Sequence, residues 1–222
     1  MSSRSAILGR LRAARRPFAE VPPLAEHRPV VPLEETSRLE LMAHFVDAAV
    51  KLGCTVHVFD DEADALAHLL ALLEPESAVL AWDPAYIPLP GLNDGLKRKG
   101  IRMVRGDPDA RVGITGVDAG LAGTGSLVLC SGVGKPRLAS LLPPLHIAVM
   151  TADQLYPGLE AWLAAMSAGA PDRLGATSSI SVISGPSRTG DIGNIPVRGV
   201  HGPGEVHVLL IRTHPHHPPS AT

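Results

Sequence analysis

Cysteine, aromatic residues and long apolar runs are all scarce in this sequence, and each scarcity removes a class of function. Only Cys54 and Cys130 occur among 222 residues. Two thiols cannot supply the four ligands that most iron–sulfur clusters require, and the pair lacks the Cys-x-x-Cys spacing of redox and zinc sites. Both lie in strand-like segments, where cysteine ordinarily serves as a small buried hydrophobe. The chain is therefore expected to carry no metal and no cofactor. Phe, Trp and Tyr make up 3% of the residues, too few to build a stacking platform for single-stranded bases. Neither sign of charge dominates: the formal net charge is −2, which favours no polyanionic partner, so no nucleic acid is expected. Apolar runs such as 126–130 and 146–150 fall far short of the ~20 residues of a membrane helix, and no membrane span is expected. Arg4, Arg10, Arg12, Arg15 and Arg16 are not followed by an apolar signal region, which makes the cytoplasm the expected location.

Apolar side chain, by contrast, is plentiful. Hydrophobic residues are 45% and charged residues 19% of the chain, enough for a sizeable core. Residues 4–16 read as a basic amphipathic helix with Ile7, Leu8 and Leu11 on one face. Pro17, Pro22, Pro23, Pro29 and Pro32 follow, a density that forbids a long helix and makes an extended connector. A regular alternation then sets in. Helices are expected over 34–52, stopped by Gly53, over 62–73 and over 91–99, with strands over 54–59, 77–81 and 101–104 between them. In the first of these helices Leu39, Phe45, Val46 and Val50 are placed for burial. A repeated βα pattern implies a mostly parallel sheet with helices on its faces. Strand-like runs continue at 112–115, 126–130, 146–150, 179–183 and 206–211, with helix only at 136–142 and 157–168. The organisation expected is a basic helix and connector over 1–33, one α/β domain over 34–212, and a flexible His- and Pro-rich tail over 213–222.

Glycine and serine concentrate in 113–134 and 184–204. Ligands of open α/β sheets bind where strands end and loops begin, so these stretches supply the candidate sites. In the run Gly113 to Val128, a glycine-rich turn between two strands exposes backbone N–H groups and lets a ligand approach closely. Thr115, Asp118, Thr124 and Ser126 add side-chain donors and acceptors, and Gly125 adds a free amide. A tight strand connection without a ligand would need the same glycines. In the run Ile183 to Ile192, Ser184, Gly185, Ser187, Arg188 and Thr189 offer hydroxyls, amides and a guanidinium within a few residues, the donor set that grips a carboxylate or phosphate. The alternative is an Arg188 that caps a helix or pairs with Asp191. In Gly199 to His207, His201 and Glu205 flank a glycine turn and are candidates for acid–base work, together with Asp118 and Asp191.

Two apparent matches fail. Gly132-Val133-Gly134-Lys135 ends like a phosphate loop, but the first glycine of that motif would fall on Leu129, and Pro136 stands where Ser or Thr is required. His214, His216 and His217 lie in a Pro-rich tail without partner ligands, the setting of a solvated segment. No G-x-S-x-G elbow is present for a serine nucleophile.

Taken in order and spacing, GITGVDAGLAGTGSLVL, LLPPLHIAVM, ISGPSRTGDI and GVHGPGEVHVLLI resemble the lactate-utilisation protein C group of the LUD-domain family, over roughly residues 36–212. The resemblance implies a three-layer α/β fold with a mostly parallel sheet, like that of glucosamine-6-phosphate deaminase, ribose-5-phosphate isomerase and the CoA transferases. It also implies a role beside two iron–sulfur partner proteins that together oxidise L-lactate to pyruvate. Asp118, Arg188, Thr189, Asp191 and His201 stand at matching positions. Gly123 and Gly193 stand where the resemblance implies glutamates, and the glutamate missing at 123 argues against CoA-transferase chemistry with its carboxylate nucleophile. The expectation is a non-redox component of lactate oxidation in which the loops 115–126 and 184–191 form one pocket for a small anionic metabolite, Arg188 gripping its carboxylate or phosphate and Thr124, Gly125 and Ser126 donating hydrogen bonds. The alternatives are a stand-alone enzyme on an anionic metabolite, of isomerase or CoA-transferase type, and a carboxylate-sensing regulatory module.

Overall fold

The computed structural model describes residues 3–14, 37–74, 76–169, 177–189 and 197–212. The chain divides into two units, Met1–Val30 and Val31–Thr222. The first contains α1 (Ser3–Ala14), on which Ile7, Leu8 and Leu11 are all exposed. The proline-rich connector and the His-rich tail lie outside the described residues.

The second unit opens with α2 (Arg38–Leu52). A capping box starts it: the Glu40 amide donates to Ser37 Oγ at 3.3 Å and the Ser37 amide to Glu40 Oε2 at 2.9 Å, satisfying two of the donors a helix start leaves open. Gly53 stops it in the left-handed conformation at φ 94°, as its position in the sequence predicts. The buried stripe is Leu41, Met42, Phe45 and Ala49. Leu39 and Val50, expected inside, are exposed; they lie on the stripe turned away from the core.

Six strands make the main sheet: β1 (Thr55–Phe59), β2 (Ala78–Ala81), β3 (Arg102–Val104), β4 (Val112–Thr115), β7 (Leu145–Thr151) and β12 (Glu205–Ile211). Their order is β1-β12-β7-β4-β2-β3, and every pairing is parallel. Buried on both faces, the central strands read as continuous apolar runs. Helices α3 (Glu62–Leu72) and α4 (Leu92–Arg98) alternate with the strands, so the mostly parallel α/β fold stands as expected. The predicted helix over 136–142 shrinks to a 3₁₀ turn over Arg137–Ser140, because Pro136, Pro143 and Pro144 leave no room for more.

The second half adds a feature the sequence reading did not contain. β5 (Ala119–Leu121), β6 (Ser126–Ser131), β8 (Leu155–Tyr156) and β9 (Ser179–Ile183) form a separate four-stranded sheet, ordered β8-β5-β6-β9. Alternation along β6 divides the core in two. Leu127 and Leu129 join the main core, whereas Val128 and Cys130 join a smaller cluster with Ala119, Leu121 and Trp162, the last from α5 (Leu159–Gly169). Both cysteines are buried and free, Cys54 in the main cluster and Cys130 in the smaller one. A two-stranded ladder of β10 (Arg188–Thr189) and β11 (Val197–Arg198) completes the described strands.

Candidate functional site

The segment that leaves β9 and the segment that enters β12 are held together by backbone. The Ser187 amide donates to Pro203 O at 2.8 Å and the Gly199 amide to Ser187 O at 3.0 Å. The His201 amide reaches Ser187 Oγ at 3.3 Å. A cavity of about 280 Å³ opens between them. Its polar wall is Ser184, Gly185, Ser187, Arg188 and His201, and its apolar wall includes Leu141, Val182, Ile183 and Val206. The cavity brings the Ser184–Arg188 run together with the segment that carries His201, a pairing the sequence analysis does not contain. Ser140, Leu141 and Val206 were not foreseen; they come from a 3₁₀ turn and a core strand, and nothing in their local sequence marks them.

Arg188 is exposed, and its Nη2 donates to Leu52 O at 2.7 Å, so the guanidinium caps the carboxyl end of α2. That placement is favourable for a cation, since helix C-termini carry unsatisfied carbonyls and partial negative charge. One of the five N–H donors of the fork is engaged there. The same guanidinium acts on Cys54: burial pushes the thiol up, while the Arg188 charge pulls it the other way.

A family model for the LUD domain matches residues 42–211. The chain belongs to the LUD-domain family. Among its relatives, a lactate utilization protein C of Halalkalibacterium halodurans is 36% identical over 143 residues, 60% of this chain and 62% of that protein. The match therefore spans less than two thirds of that relative. A lactate utilization protein C of Deinococcus radiodurans is 30% identical over 190 residues, covering 79% of this chain and 81% of that protein. The crystal structure of a DUF162 family protein, also from Deinococcus radiodurans, shares the fold with a TM-score of 0.59 and 24% identity, over 80% of this chain and 99% of that one.

The remaining expected positions of this LUD domain fall elsewhere. Thr115 is fully buried, and its hydroxyl bonds His146 Nε2 at 2.9 Å; it is a core hydroxyl with no open face for a ligand. Burial alone pushes the His146 imidazole down to about 4, so it stays neutral. Gly125, at φ 66°, lies so close to α2 that a Cβ would stand 2.2 Å from the Ala49 amide nitrogen. Thr124 Oγ1 is buried without a partner among the described residues. The stretch 115–126, expected as an open donor loop, is instead a mostly buried hairpin around β5. It reaches the cavity region through Ser126 Oγ, 2.8 Å from Ser184 Oγ.

Asp118 sits apart, its Oδ1 paired with Lys135 Nζ at 2.6 Å and its Oδ2 accepting the Cys130 amide at 2.7 Å. Glu205 is exposed at the start of β12, 3.9 Å from His207 Nε2. Thr189 lies in the β10–β11 ladder. Gly123 is half-buried. Asp191 and Gly193 lie outside the described residues. No helix among the described residues is long and apolar enough to cross a membrane, and no cluster of three or more His, Cys, Asp or Glu among them could hold a metal ion.

Proposed function

We propose that this LUD-domain protein is a non-redox, cytoplasmic component of L-lactate oxidation to pyruvate, working beside two iron–sulfur proteins, and that it binds a small carboxylate in the Ser184–Arg188 cavity. The relatives named for lactate utilization support the pathway, and two buried, free cysteines support a division of labour in which partners hold the clusters. One observation carries the site: a single arginine, three serines and a histidine line a cavity of about 280 Å³ together with an apolar wall. That volume is at the small end of ligand pockets, matched to a short acid with one anionic end and one apolar end. Arg188 would engage the carboxylate with the donors it does not direct at Leu52, while Ser184 and Ser187 orient the rest.

The test is growth on L-lactate as sole carbon source of a strain lacking the gene, complemented with wild type or Arg188→Ala. Rescue by wild type alone supports both role and site; unimpaired growth of the deletion strain overturns the role. On the purified protein, lactate or pyruvate at 100 times its Kd adds ~2.7 kcal/mol of stability, a Tm rise of roughly 5–10 °C for a chain of this size. No shift with either acid would sink the pocket.

A further inference from the structure

A second cleft, of about 380 Å³, lies between the turn that follows β6 and the beginning of β9. Lys135, Arg137, Ser131 and Ser179 are among its lining residues. Lys135 is its fixed point. The ammonium is held 2.6 Å from Asp118 Oδ1, with the two side chains only 19% and 23% exposed. It also stands 4.9 Å from the Trp82 ring centroid and 5.2 Å from that of Tyr86. The aromatic faces attract the cation without using any of its three N–H donors, and Asp118 uses one. Trp82 directly follows β2, and Asp118 stands just past β4. Lys135 therefore joins the cleft to the carboxyl ends of two parallel strands, where open α/β sheets bind ligands.

We propose that this cleft is a second binding site, selective for the phosphate group of a small molecule, in which Lys135 and Arg137 share the phosphate oxygens. The charge balance supports it. Lys135 and Arg137 line the cleft with no carboxylate among its lining residues, and both oxygens of Asp118, the partner of Lys135, are already engaged, by Lys135 and by the Cys130 amide. The cleft keeps a positive excess that the Asp118 pair alone does not satisfy. A carboxylate has two oxygens and fits one guanidinium fork; a phosphate has more oxygens and greater charge to divide between two separate cations and the Ser131 and Ser179 hydroxyls. The Arg188 cavity, with its single cation, lacks that set. Recognition here differs from a phosphate loop. The Gly132 amide donates to Lys135 O and the Lys135 amide to Gly132 O, at 3.2 and 3.0 Å, so these two amides are closed on each other instead of pointing at a ligand.

Isothermal titration of the full chain with inorganic phosphate, a phosphate monoester and acetate tests this. Arg137→Ala and the charge-reversing Arg137→Glu alter an exposed side chain and leave the fold intact. The double variant Asp118→Asn/Lys135→Met removes both members of the pair, so neither charge is left alone. Each is expected to weaken phosphate by about tenfold or more, the worth of one charge-assisted hydrogen bond, while Arg188→Ala leaves phosphate affinity unchanged. If the double variant does not fold, the two Arg137 variants decide alone. The proposal is overturned by the absence of phosphate binding, by unchanged affinity in the Arg137 variants, by acetate binding as tightly as phosphate, or by an equal loss in Arg188→Ala, which would place phosphate in the other cavity.

Discussion

The glycine-rich stretches 113–125 and 184–204 look alike as sequence, yet the fold uses them in opposite ways. In the first, the chain is pressed between α2 and the main sheet: Gly125 meets the α2 backbone and Thr115 is sealed against His146. In the second, Gly185 and Gly202 line a cavity; Gly185 also abuts the end of α2 at Leu52, whereas Gly202 has no neighbour nearer to its Cβ position than 3.6 Å. A glycine marks a place where something approaches closely or the backbone turns sharply. Whether the approaching group is another part of the chain or a ligand depends on what the topology puts opposite.

The contrast can be broken most severely at Gly125. Gly125→Val adds a branched side chain at positive φ, where the α2 backbone leaves no space, and should cost about 3–5 kcal/mol or prevent folding. Urea denaturation measures it; a loss under 1 kcal/mol would mean the hairpin is not seated on α2.

The next effect is a pH dependence led by the sealed side. The folded His146 imidazole titrates near 4, below the ordinary 6.5, so the unfolded chain binds the extra proton first. Stability from this group is present above pH 6.5 and is lost as pH falls toward 4, by about 3 kcal/mol. His57 and His207 are lowered as well, chiefly by burial, and add in the same direction. Denaturation at pH 7 and pH 4.5 should show the loss in wild type and a smaller one in His146→Gln. An equal loss in both would assign the pH dependence to other groups.

On the open side, Arg188→Ala should weaken binding of a small carboxylate by about tenfold. It should also cost ~1 kcal/mol of stability through the lost cap at Leu52. Arg188→Lys keeps charge near the helix end but not the fork, so it should recover stability more than affinity. Equal recovery of both would mean that charge rather than the fork binds the acid, and unchanged affinity in Arg188→Ala would make Arg188 a cap and nothing else. Gly202→Ala sharpens the comparison at its weak end. With room for the methyl group, it should change stability by about 0.5 kcal/mol or less, against the collapse expected at Gly125.

Much of the fold was legible. β4 and β9 begin and end where hydrophobic patterning puts them, and Gly53 ends α2 as its turn chemistry requires. On α2 the expectation holds for Phe45, which is buried, and Val46, which packs against the core, but not for Leu39 and Val50, which are exposed; only the position of the sheet selects which side of the helix is covered. β5 escaped because Ala119, Gly120 and Leu121 carry little strand propensity, and its pairing with β6 creates the strand. Within the candidate site, the run Ser184–Arg188 was legible as a donor set. Its union with His201 was not, since it depends on backbone bonds between Ser187 and the segment around Gly199 and Pro203.

The sequence by itself determined the α/β class and the positions of most strands, because alternation, capping and turn residues are local and act on neighbours in the chain. It also limited the thiol chemistry through a count of two cysteines. Only the tertiary structure decided that one glycine-rich motif is scaffold and the other a cavity wall. It alone set Lys135 against Asp118, Trp82 and Tyr86. Those outcomes depend on which surfaces meet across the fold, and close packing between distant segments leaves no periodic trace along the chain.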